Sequence, residues 1–150
     1  MNILTEIRVL RDEGKIHQRL ITRTRVLLIL SLALFSVVLF NVISRGADWR
    51  PALGLAAAGF ALGVFLFSRM SPVQWNEEKE VVETGRMDTL GYIILALYIV
   101  LEIGLRTFLI DFFPLDATTF VLAGVFGVLF GRVIGTLIEV HRVYRVAHTG

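Results

Sequence analysis

Four apolar runs of roughly bilayer length dominate this chain, at residues 26–43, 51–67, 90–110 and 118–138. A helix needs about 20 such residues to cross a hydrocarbon layer about 30 Å thick, where every backbone polar group must find its partner inside the element. The runs therefore predict an all-α integral membrane protein with four transmembrane helices in two hairpins. Composition agrees: 55% of the 150 residues are hydrophobic and the mean hydropathy is +0.72, outside the ordinary soluble range. What remains, an amphipathic leader at 1–25, a loop at 68–89 and a tail at 141–150, is too short for a separate soluble core, which normally needs about 40 residues. A single membrane domain over residues 1–150 is expected, with any chemistry confined to the helices and the membrane faces.

Lys and Arg are unevenly placed along this pattern. Six lie in the leader, three in the 68–89 loop and two in the tail, against Arg45 and Arg50 on the other side. The positive-inside bias puts both termini and the long loop in the cytoplasm, and an imbalance of this size argues against dual topology. The expected location is a bacterial cytoplasmic membrane. In the leader, Ile3, Ile7 and Leu10 share a helical face, and Ile16 and Leu20 follow after Gly14. That pattern fits an interfacial amphipathic helix; it also fits a solvated basic segment that only orients the first span. Glu6, Asp12 and Glu13, with no small-residue cleavage pattern after the first run, argue against a cleaved signal peptide.

The third run carries Glu102 and Arg106, and the fourth carries Arg132. Charges at membrane depth are costly and face protein or water instead of lipid. Tyr98, Glu102 and Arg106 are spaced four apart and form one stripe on the third helix. By helical rise, Glu102 lies about 12 Å and Arg106 about 6 Å below the outer boundary, with Arg132 about 9 Å above the inner one. Two readings follow: local pairing of Glu102 with Arg106 and snorkelling of the arginines, or a polar interior in which Glu102, paired with Arg106 and Arg132 near Tyr98, answers to protons or ions.

Small residues mark the second and fourth runs. Gly59 and Gly63 lie along one face, and Gly127, Gly131 and Gly135 repeat at four-residue spacing, a GxxxG pattern that lets helix backbones approach closely. The spacing is equally compatible with contacts inside one chain and between subunits. In the loop, the spacing of Glu77, Glu80 and Glu83, with Glu78, predicts a short surface helix over residues 76–84. Those carboxylates lack the alternation and glycine of a calcium loop, and with Trp75 they make a surface suited to a cytoplasmic partner or to the chain's own basic leader.

The chain has no cysteine, which excludes disulfides and thiolate chemistry. His17, His141 and His148 lie at no zinc-like spacing, so neither a metal nor a cofactor is expected. There is no nucleophile elbow, zincin motif or phosphate-binding glycine loop, and no arginine-rich run of nucleic-acid type. The expected role is a non-enzymatic interaction or scaffold subunit that uses the glycine faces and the loop, partnered by the lipid bilayer and by a second copy or another membrane protein. The alternative is a small oligomeric transporter or channel built on Glu102. The sequence identifies no substrate.

Overall fold

The structure is a computed structural model and describes residues 3–66, 69, 72–85 and 89–149. The fold is 80% helical. Its elements are α1 (Ile3–Asp12), α2 (Gln18–Arg45), α3 (Trp49–Phe65), a hairpin of β1 (Val73–Asn76) and β2 (Val81–Thr84), α4 (Thr89–Phe112) and α5 (Ala117–Thr149). Three of them, α2, α4 and α5, are long and apolar enough to cross a membrane, whereas α3 is shorter. The predicted end of the second span at Phe67 and the loop residues 86–88 lie outside the described residues.

Chain entry is set by a glycine. Gly14 adopts φ +71°, a left-handed conformation that is strained for any residue with a Cβ. The Lys15 amide then donates to the Leu10 carbonyl at 3.0 Å and the Gly14 amide to that of Arg11 at 3.1 Å, closing α1 as a Schellman motif. Residues 15–17 run extended, and α2 starts where His17 Nδ1 accepts the Arg19 amide at 3.2 Å. Thus the predicted leader is divided: residues 18–25 are the first turns of α2. That helix ends on Gly46, again left-handed at φ +68°, and Asp48 caps α3 by accepting the Arg50 amide at 3.0 Å, with Pro51 tolerated in the first turn.

The glycines of α3 and α5 face each other. A Cβ on Gly59 would meet the Gly124 carbonyl oxygen and one on Gly63 that of Val128; in return, one on Gly127 would meet the Ala56 carbonyl oxygen and one on Gly131 that of Phe60. The two backbones are in contact along about two turns, within a single chain. Gly135 is buried further along α5. Helix α5 is the centre of the molecule, with α2 and α3 packed along it and α4 held mainly by Leu105 and Leu109 against Ala117, Phe120 and Ala123 and by Ile94, Leu95 and Tyr98 against Val128.

Helix α2, at 28 residues, is about 42 Å long, and α5, at 33 residues, about 50 Å. Both exceed the roughly 30 Å of a hydrocarbon layer. Their surplus turns lie at the same end of the bundle: Leu20 of α2 and Val140 of α5 share a core with Leu10, Ile16, Val73 and Val82. Here the chain departs from the predicted surface helix over 76–84, which is instead a β-hairpin. Val73 and Val82 point inward while Gln74 is exposed, the alternation of a strand. Asn76 Oδ1 accepts the amides of Glu78 and Lys79 at 3.1 and 3.2 Å, an Asx turn that competes with helix. The three-residue spacing of the glutamates imitated a helical face because two of them, Glu77 and Glu80, are turn residues.

Candidate functional site

Two regions hold the residues singled out by sequence. The first is the inner face of α4. Gly91, Leu95, Tyr98, Glu102, Leu105 and Leu109 lie within one helical sector, and all six are buried or half-buried. Glu102 sits at the centre of that sector, so its carboxylate faces α5. The Tyr98 hydroxyl, one turn earlier, lies within hydrogen-bonding reach of it. Glu102 Oε1 is shielded from solvent and has no hydrogen-bond partner among the described residues. Arg106 is turned about 40° further round the helix, is exposed, and lines a shallow cleft with Ile110, Ala117, Thr118 and Val121.

Arg132 is half-buried on α5, within electrostatic reach of Arg23 of α2. Among the described residues no ion pair joins Glu102 to Arg106 or to Arg132. Of the four predicted polar-interior residues, the fold brings Tyr98 and Glu102 together on α4, and neither arginine forms an ion pair with Glu102 among the described residues.

The second region is the platform at the shared end of α2 and α5. Residues 15–17 lie beside β2: the His17 amide donates to the Val82 carbonyl at 2.9 Å and the Val82 amide to the Lys15 carbonyl at 2.8 Å, so the leader forms a parallel bridge at Ile16 and Val82. The hairpin thus docks on the chain's own leader. Glu6 of α1 reaches His141 of α5 at 2.5 Å, clasping the two helices. Lys15, 2.9 Å from Glu13, has its pKa raised first by that carboxylate and then by the Tyr144 hydroxyl, so it stays cationic throughout the physiological range.

Trp75 is half-buried, not displayed: its ring stands edge-on to Tyr144 at 6.2 Å and to His148 at 5.3 Å. Glu77, Glu78 and Glu80 are exposed in the turn, while Glu83 is drawn back onto the strand by a 2.8 Å hydrogen bond from Asn76 Nδ2. No group of His, Asp and Glu side chains among the described residues is gathered as a metal site.

Beside the hairpin an open cleft of about 470 Å³ runs between β1 and the end of α5, lined by Val73, Trp75, Glu77, Glu139, Arg142 and Val146 among others. The Glu139 carboxylate faces the Val73 amide at its edge. Neither the clasp between Glu6 and His141 nor this cleft was visible in the sequence, because each joins segments more than sixty positions apart with no shared motif. Comparison with protein-family models, curated proteins and solved structures finds no match to this chain.

Proposed function

We propose that the chain is a non-enzymatic membrane interaction subunit, with four helices crossing a bacterial cytoplasmic membrane, both termini in the cytoplasm, and a folded platform on the cytoplasmic face that docks another membrane protein or a second copy. The observation that carries this reading is the platform itself. It has its own core, with Val82 fully buried and Leu10, Leu20 and Val140 each 3% exposed, yet leaves beside it a cleft of mixed apolar and charged lining, the surface type of specific protein recognition. The glycine seam is occupied by contacts within the chain, so association is assigned to the platform and the outer face of α4.

The test is photo-crosslinking in native membranes from Val146, at the cleft, and from Leu115, 94% exposed at the opposite end. Discrete adducts from Val146 that are missing from Leu115 support the platform. Equal adduct patterns at both positions, or none at Val146, remove its basis.

A second reading, the oligomeric transporter or channel, is favoured by one observation, the shielded and unpartnered Oε1 of Glu102. An orphaned acceptor at such a position is a place where a proton or small cation gains binding energy. Proteoliposome flux that is present in the wild type and lost in Glu102→Gln would move the assignment to this class.

A further inference from the structure

The platform has a second face, between α1, the first turns of α2 and α5, and it is built differently from the cleft beside Trp75. Two cavities meet there. One, of about 160 Å³, is an apolar slot lined by Ile7, Leu20, Leu137 and Val140. The other, of about 550 Å³, is its polar mouth, lined by His17, Gln18 and Thr22. Arg11, Ile16, Ile21 and Arg25 line both, so the two arginines stand at the rim where the lining changes from polar to apolar.

The charge at this rim is only partly engaged inside the protein. Arg11 engages Asp12 through Nε at 3.3 Å and Nη2 at 3.2 Å, an exposed pair between chain neighbours that contributes little and can be exchanged for another anion. Arg25 has no ion pair among the described residues. The N-terminus of α2 adds the positive end of a 28-residue helix beside Gln18. The site therefore has an anion-binding entrance joined to a narrow hydrophobic slot, at the level where α2 passes from platform to apolar span.

We propose that this site binds one acidic glycerophospholipid of the cytoplasmic leaflet, its phosphate held between Arg11 and Arg25 and the start of an acyl chain lying in the slot between Leu20 and Leu137. A soluble phosphate would satisfy the arginines and leave the slot empty; a zwitterionic lipid would fill the slot and leave a net positive rim. An acidic lipid matches both halves. Basic residues at the membrane surface each strengthen binding of anionic lipid by about fivefold, so the two together supply at most about thirtyfold, less what Arg11 gives up in leaving Asp12. This inference rests on the membrane placement proposed above, but it needs no protein partner.

The experiment is native mass spectrometry of the purified full chain in detergent, titrated separately with phosphatidylglycerol, with phosphatidylcholine and with glycerol phosphate. The wild type is expected to retain one phosphatidylglycerol and to hold it at least tenfold more tightly than phosphatidylcholine. The Arg11→Ala/Arg25→Ala variant loses that preference, and the Arg45→Ala/Arg50→Ala variant, altered at the other end, keeps it. Leu137→Trp fills the slot with both arginines intact and weakens the lipid, and helical circular dichroism verifies that each variant is folded.

Equal retention of the two lipids by the wild type, or unchanged preference in Arg11→Ala/Arg25→Ala, overturns the proposal. Glycerol phosphate that binds as tightly as the lipid also overturns it, in favour of a soluble anion. Because the titration contains no second protein, its failure leaves the interaction-subunit reading to be judged by crosslinking alone.

Discussion

Two glutamates show how position sets the effect of the same side chain. Glu80 closes the hairpin turn with φ +51°, a region where a Cβ is crowded against the backbone at a cost of about 1 kcal/mol or more. Glu80→Gly is therefore expected to stabilise the hairpin by about 0.5–1 kcal/mol, read as slower hydrogen exchange at the Val82 and His17 amides; faster exchange would mean that the turn is held by the Glu80 side chain. Glu102 has the opposite problem. Its backbone is regular helix, while Oε1 is shielded without a partner, a condition that costs about 1–3 kcal/mol. Glu102→Leu is expected to raise resistance to unfolding in a sodium dodecyl sulfate titration by about 1 kcal/mol. If the variant unfolds more easily, Glu102 is a structural ligand and the transport reading loses its argument for retaining a costly group.

Among the four apolar helices, α3 and α5 are joined most closely and α4 is held most loosely, and this difference has a measurable consequence. A side chain at Gly131 must displace the Phe60 backbone, which cannot yield as a flexible side chain would, whereas nothing lies within 4 Å of a Cβ on Gly104 of α4. Gly131→Ile should cost about 3 kcal/mol; Gly104→Ala should gain about 0.5–1 kcal/mol by reducing backbone freedom. Equal effects in the same unfolding titration would show that the seam does not govern stability.

The seam was legible from four-residue glycine spacing, and the long helices from their apolar runs, since both are local signals. The hairpin was not, because its strands are only four residues each and its stability comes from Leu10, Leu20 and Val140 on three other elements. The α4 stripe was legible as a stripe, but its pairing was not. A four-residue offset places Glu102 and Arg106 on neighbouring sectors, and which sector faces α5 is decided by Leu105 and Leu109, not by either charge.

At the scale of the whole molecule, one arrangement connects the helices to the platform. The first turns of α2, the last turns of α5 and the hairpin between α3 and α4 share a core, so all of them lie at one end of the bundle. Gly46, Asp48 and Leu115 belong to the connections at the other end of α2, α3, α4 and α5. If α3 crosses the bilayer despite its 17 residues, about 25 Å of helix, the chain passes four times and the two ends face opposite compartments. A short helix of this kind is accommodated by local thinning or by anchoring residues at its ends, and Trp49 and Arg50 stand at one end of α3 as such anchors.

The chain's lack of cysteine makes this directly testable with single-cysteine variants at exposed positions. In sealed, inside-in vesicles an impermeant maleimide is expected to label Leu115→Cys at once and Glu78→Cys after permeabilisation, and the order reverses in inverted vesicles. Labelling of both positions from one side would mean that α4, the one helix between them, does not cross, and the four-span reading would fail.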